Sequence, residues 1–139
     1  RMNKIAFYKD KTKGIIDPKL FSDIAEQAAS DIAKSGQTTT RDGRTRLDHN
    51  KRTQIRKFYD EVVRLNGNVK SNPDDWETVL PFINMLIAKA AYANGRNTLV
   101  TDDFVALLKD CVSQVQKPAD LDVFANFFES FMGFYRKYE

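Results

Sequence analysis

Residues 121–138 read Leu121-Asp-Val-Phe-Ala-Asn-Phe-Phe-Glu-Ser-Phe-Met-Gly-Phe-Tyr-Arg-Lys-Tyr138, and their spacing decides the fold class. Leu121, Phe124, Phe128, Phe131, Tyr135 and Tyr138 recur three, four, three, four and three residues apart. That interval lines them up on one helical face, a heptad-like seam rich in aromatic rings. The same period runs backwards through most of the chain. Pro118 separates this helix from a fourth one, capped by Thr101, with Phe104, Leu107, Leu108, Cys111, Val112 and Val115 on its inner face.

The third helix runs from about Asp74 or Asp75 to Asn94 and carries Trp76, Val79, Leu80, Ile83, Leu86, Ile87 and Ala90. It is apolar on most sides, which predicts the central helix of a bundle. Pro81 inside it predicts a kink or a start near Thr78, and Asn94-Gly95 is a C-cap signal. The second helix opens near residues 50–53, repeats Ile55, Phe58, Tyr59, Val62 and Leu65 at helical spacing, and closes at Gly67. The first follows Asp17-Pro18, an N-cap with proline at the first helical position, and ends at Gly36. Phe21, Ile24, Ala28 and Ile32 form its apolar face. No alternating period and no internal repeat appears. The expected fold is all-α: a single compact bundle of about five helices with no sheet, one domain over residues 1–139. Residues 1–16 form an N-terminal arm anchored by Ile5, Phe7 and Tyr8. Residues 37–50, where Leu47 stands alone among Thr, Arg, Asp and Gly, form a basic flexible loop.

With 139 residues, 42% apolar and 29% charged, the composition is that of a globular chain. Arg1 stands ahead of Met2 and is set aside as an addition to the natural start. The N-terminus has no apolar signal region. The stretch from Val79 to Ala93 is too short and too polar to span a bilayer. One cysteine, Cys111, excludes an internal disulfide, and a reducing cytoplasm is the expected compartment.

The net charge of +3 is less informative than its distribution. Arg41, Arg44, Arg46, Lys51, Arg52, Arg56 and Lys57 face only Asp42 and Asp48 within residues 41–57, so the remainder of the chain is net negative. Arginines give forked hydrogen bonds to phosphate oxygens, and threonine and asparagine add neutral donors. The later residues of the segment also stand at a helix N-terminus, itself favourable to anions. Arg52 and Arg56 share a face, opposite the apolar residues of the same helix. A solvated charge run is the plainer reading of such a segment. Phe58, Tyr59 and the C-terminal aromatic stripe fall at core spacing, which leaves Tyr8 and Tyr92 unassigned. A DNA-reading helix-turn-helix would need a shorter connection than residues 37–50 provide.

Catalysis has little to work with. A structural zinc site needs about four Cys/His ligands, and the chain has His49 and Cys111. Cys111 lies on an apolar stripe, where thiols are inert. Asp74-Asp75, Asp102-Asp103 and the Asp120/Asp122 pair could suggest a metal, but all fall at predicted helix N-termini, where the dipole favours negative charge. Neither GxGxxG nor GxxxxGK[ST] occurs. No enzyme, cofactor or metal is expected.

Four stretches in order carry a family resemblance. They are Lys4-Ile-Ala-Phe-Tyr-Lys-Asp with Ile16-Asp-Pro-Lys-Leu-Phe; Thr53-Gln-Ile-Arg-Lys-Phe-Tyr-Asp-Glu-Val; Leu86-Ile-Ala-Lys-Ala-Ala-Tyr-Ala-Asn-Gly-Arg; and Phe124 to Tyr138. The chain resembles the small subunit of the type III-A CRISPR effector, the Csm complex, over nearly its whole length. The resemblance implies a helical bundle without catalysis of its own. It implies stacking with other copies into a filament along guide RNA and target RNA, beside the backbone subunits and touching the large subunit. By resemblance the RNA contacts fall on Lys51, Arg52, Arg56, Lys57 and Arg96. Arg136 and Lys137 either join them or complement the last helix's dipole. Phe134 departs from the smaller residue expected before Tyr135, which bears on packing. The expected function is a non-catalytic RNA-binding structural subunit in antiviral defence. The alternative is a helical protein–protein adaptor with an apolar groove along the Phe/Tyr seam.

Overall fold

The structure is a computed structural model that describes residues 4–138, so the expectations for Arg1 and the very start of the arm lie outside it. In chain order it runs β1 (Tyr8–Asp10), β2 (Ile15–Ile16), a π-helical turn (Leu20–Ile24) leading into α1 (Ala25–Gly36), β3 (Gln37–Thr39) and β4 (Thr45–Leu47). Then come α2 (Arg52–Ser71), a 3-10 turn (Pro73–Asp75), α3 (Trp76–Gly95), α4 (Asp102–Ser113), α5 (Pro118–Tyr135) and a last 3-10 turn (Arg136–Tyr138).

The helical class stands, with five α-helices among the described residues, but the expected absence of sheet does not. Two small antiparallel hairpins are present, β1–β2 and β3–β4. In the first, Gly14 turns the chain at φ 68°, and Phe7 plugs the core beneath. Gln114 clamps this arm by accepting from the Phe7 amide at 2.8 Å and donating to the Ile5 carbonyl at 2.7 Å. The second replaces the expected loop: Gln37, Thr38 and Thr39 pair with Leu47, Arg46 and Thr45. Asp42-Gly43 makes the turn, with Gly43 at φ 84°. Threonine's branched Cβ suits an extended backbone, and Asp-Gly suits a hairpin turn. The apolar period is missing because most side chains of this hairpin face solvent on both sides.

The helix at the centre is α5, not α3. It packs against α1 and α2 and buries Leu121, Val123, Phe124, Phe127, Phe128, Phe131 and Tyr135. Its rings form a ladder: Phe124–Phe128 at 5.8 Å, Phe128–Phe131 at 5.8 Å and Phe131–Tyr135 at 5.2 Å between centroids. Large rings bury most area per residue, so the aromatic helix takes the most enclosed place. α3 packs chiefly on α4 and α2 and leaves Phe82, Met85 and Tyr92 exposed. Its apolar residues are spread around the helix and do not say which side is covered. The seam expected as an adaptor groove is therefore core.

Helix boundaries differ from expectation where tertiary contacts act. α2 continues through Gly67 to Ser71 because its last turns are held: Val69 is buried, Asn66 donates to Asp122 at 3.0 Å, and Lys70 pairs with Asp122 at 2.8 Å. The Lys70 and Asn66 hydrogen bonds hold the Asp122 carboxyl below its usual range. α3 begins at Trp76 and runs through Pro81, which lies inside the helix and cannot donate to the Glu77 carbonyl. Asp120 caps α5: its carboxylate accepts from the Gln116 and Lys117 amides at 3.0 and 3.2 Å and from the Tyr8 hydroxyl at 2.5 Å. Burial and this carboxylate push the Tyr8 phenol up to about 12.

Asn50 joins these parts. It is fully buried, in left-handed backbone at φ 57°, which asparagine tolerates better than most residues. Its side-chain amide shares two hydrogens among Ile32 O (3.0 Å), Ser35 Oγ (3.1 Å) and Thr101 Oγ1 (2.8 Å). Its Oδ1 accepts from the Thr101 amide at 2.8 Å, and its backbone N–H donates to Leu99 O at 3.0 Å. Its carbonyl accepts from the Tyr135 hydroxyl at 2.6 Å. One residue thus ties α1, the α3–α4 turn and α5 to the start of α2. Beside it, Gly36 O accepts from the Asp48 and His49 amides, both at 3.0 Å. A Cβ on Gly36 would stand 2.3 Å from His49 O.

Urea denaturation tests these assignments. Asn50→Ala strands buried polar groups on three elements and is expected to cost about 3 kcal/mol. Gly36→Ala forces backbone apart and is expected to cost about 1–3 kcal/mol. Gly67→Ala, where an added Cβ meets nothing within 4 Å inside a helix, is expected to stabilise by about 0.5–1 kcal/mol. Equal effects at the two glycines would contradict the packing described.

Candidate nucleic-acid interface

The basic residues singled out in the sequence fall into four places. Arg41, Arg44 and Arg46 lie on the β3–β4 hairpin; Lys51, Arg52, Arg56 and Lys57 open α2; Arg96 follows α3; Arg136 and Lys137 follow α5. All are exposed except Arg52, which is half-buried and partnered.

Exposure is not the same as available charge. Arg46 Nε reaches Asp48 Oδ1 at 2.7 Å and Arg44 Nε reaches Asp42 Oδ2 at 3.5 Å. The Arg46 hydrogen bond, with one from Thr38, holds the Asp48 carboxyl below its usual range. Asp42 is held low by the Thr40 hydroxyl and the Arg44 amide. The hairpin's charge is thus partly offset locally, and Arg41 is its residue without an ion pair among the described residues. Arg56 faces Asp60 at a loose 3.8 Å. Arg136 and Lys137 follow directly on Tyr135, whose hydroxyl bond to Asn50 holds the end of α5 beside the start of α2. At that helix C-terminus they also complement the dipole.

A groove between α2 and α3 brings distant cations together. Its volume is about 290 Å³. Phe58, Leu86, Ala93 and Leu99 supply its apolar lining, and Gln54, Lys57, Glu61, Lys89, Tyr92 and Arg96 its polar one. Helical spacing produces this arrangement: Gln54, Lys57 and Glu61 repeat at three and four on α2, and Lys89, Tyr92 and Arg96 repeat likewise at α3. Lys57 and Arg96 pair with no carboxylate among the described residues.

The groove's carboxylate, Glu61, is already engaged. Arg64 Nε and Nη2 donate to its two oxygens at 2.9 and 2.8 Å, and Lys89 Nζ lies 3.8 Å away. The Arg64 hydrogen bonds, with the charges of Arg64 and Lys89, hold the Glu61 carboxyl below its usual range. Glu61 is therefore held chiefly by Arg64, with Lys89 at a looser distance.

The backbone at the groove's end is fixed from the α2 side. His49 Nδ1 lies 2.7 Å from Thr98 O, and the Asn50 amide donates to Leu99 O. Asn97 and Thr98 both take positive φ, 56° and 51°. A β-branched residue there is strained, and that strain is tolerated only where surrounding bonds hold it. These bonds keep the turn after Arg96 in register with the residues that lead into Lys51.

The sequence does not single out Lys89, and it leaves Tyr92 unassigned. The signal was present in the interval 89, 92, 96, but treating α3 as enclosed on most sides hides it. Among the described residues no group of His, Cys, Asp and Glu is arranged to hold a metal ion. Cys111 is buried, and burial pushes its thiol far up, away from a nucleophilic thiolate. Among the described residues no helix is long and apolar enough to cross a membrane.

Comparison with known proteins gives one finding. No curated protein and no solved structure matches the chain. The family model for Csm2 Type III-A, by contrast, matches residues 17–139. That match takes in all five helices, the basic start of α2 and the whole α2–α3 groove. The chain therefore belongs to the Csm2 Type III-A family, that of the small structural subunit of the type III-A CRISPR effector.

Proposed function

We propose that this protein is a non-catalytic RNA-binding subunit that contacts the backbone of guide RNA and target RNA through the α2–α3 groove and the basic start of α2. The observation that carries this reading is the convergence of Lys57 and Arg96, far apart in sequence, on one groove with Lys89. The acid between them is held by Arg64. Phosphate contacts position a protein without reading sequence, which suits a subunit whose guides differ. Lys51 and Arg56 extend the surface along α2, and the hairpin Arg41, Arg44 and Arg46 provide a second arm. Family membership supports the rest of the assembly: stacking with other copies as an inner filament, against the backbone and large subunits. A few phosphate contacts per copy give weak affinity alone, multiplied when copies are linked.

A protein–protein adaptor without nucleic acid is the second reading, favoured by one observation. Phe82 and Met85 are exposed on α3, at 46% and 41%.

Fluorescence anisotropy separates the two. Two unrelated single-stranded RNAs and their duplexes are titrated at several salt concentrations against the protein and its Lys57→Ala/Arg96→Ala variant. The expected outcome is similar affinity for both sequences, falling steeply with salt. The double variant should weaken all of them and flatten the logarithmic salt slope by about 1.4–1.8, two phosphate contacts' worth. Unchanged affinity and slope in the variant would favour the adaptor.

A further inference from the structure

Resting on the RNA-binding reading, we infer that the α2–α3 groove holds one unpaired nucleotide, its base stacked on Tyr92 and its phosphates on Lys57, Lys89 and Arg96. Backbone binding by itself has no use for Tyr92. This ring is 69% exposed, the most exposed of the large hydrophobic side chains described. It has neither a ring partner nor a side-chain hydrogen bond among the described residues. The aromatic residues of α5, by contrast, lie in the ring ladder of the core or pack against it. An open π-face beside cations is the arrangement with which proteins grip single strands: the base stacks, and the backbone is held by charge.

Size and chemistry agree on the occupant. At about 290 Å³ the groove lies at the lower end of the range for small-molecule sites. It is suited to a single base and its phosphate rather than to a helix. Half-buried Leu99 lies at the groove's apolar floor, with Phe58, Leu86 and Ala93 buried beneath it, and the Gln54 amide offers both a donor and an acceptor to a base edge. Three cations against one engaged carboxylate favour a polyanion over a peptide or a second copy. Bases inside a duplex are stacked on each other, so this contact selects a nucleotide that is unpaired or turned out of the helix.

The test compares two strands of equal length, an oligouridylate and the same ribose-phosphate chain without bases. Each is titrated at low salt against the full chain and its variants. The protein is expected to bind the base-bearing strand more tightly. Tyr92→Leu should erase that advantage, a loss of about 5- to 150-fold, whereas Tyr92→Phe keeps it. Lys57→Ala and Arg96→Ala should weaken both strands alike. Equal binding of the two strands by the unaltered protein, or an advantage that survives Tyr92→Leu, overturns the inference and leaves the backbone reading standing. No binding of either strand, or no effect of the two basic variants, removes both. Loss of self-association in Tyr92→Leu with RNA binding unchanged would assign this face to a second copy instead.

Discussion

The fold depends on the hydrogen bonding of one buried side chain. Asn50 has no charge to desolvate, yet it offers both donors and an acceptor within a few ångströms. Inside the core each of these must be matched, because an unmade hydrogen bond there costs more than a made one contributes. The matching groups come from the end of α1, the α3–α4 turn and the end of α5. Apolar packing sets which helix faces meet, but it is tolerant of small slides. A saturated polar network is not, so Asn50 gives the bundle its register. Asparagine also suits the left-handed backbone at φ 57° that lets the chain turn from the hairpin into α2.

That register has an electrostatic consequence. The residues directly after Asn50 are the cations that open α2, and its partners Leu99 and Thr101 directly follow the turn that carries Arg96. A core constraint thus sets the distance between two groups of surface charge. Glu61 then decides how much of that charge is felt. Its fork with Arg64 points the carboxylate's best interactions along α2, leaving Lys89 at a looser distance. With Lys57 and Arg96 in no ion pair among the described residues, the groove carries three cations against one carboxylate in a chain whose net charge is only +3.

Much of this was legible in the sequence, and what was not has physical causes. The periods of α4 and α5 translate directly into buried faces, from Phe104 to Val115 and from Leu121 to Tyr135, because packing rewards one stripe. The Thr101 cap and the core role of Cys111 follow from local chemistry. The hairpins were missed because a strand exposed on both faces shows no alternation; Asp42-Gly43 between threonines was the available signal. Gly67 looked like a helix end because propensity is local, whereas the Asn66 and Lys70 contacts that hold it helical come from α5. The basic cluster was legible as composition, but the pairing of Lys57 with Arg96 was not, since only the crossing of α2 and α3 brings them to one groove.

The two faces of α3 explain why this groove escapes a sequence reading. One face, with Val79, Ile83, Leu86 and Ala90, is core. The other places Phe82, Met85 and Tyr92 at the surface, with Lys89 between them. In a helix packed on all sides such residues would need no explanation. On an exposed face, Phe82, Met85 and Tyr92 stand in contact with water. The charge differs along that face: its Phe82–Met85 end is apolar, and its Tyr92–Arg96 end joins the cations of α2. A neutral protein surface suits the first end and a polyanion the second. Under the proposed RNA-binding function, one helix would meet a neighbouring subunit at its first end and RNA at its second, with the Asn50 network holding its C-terminal turn against the start of α2.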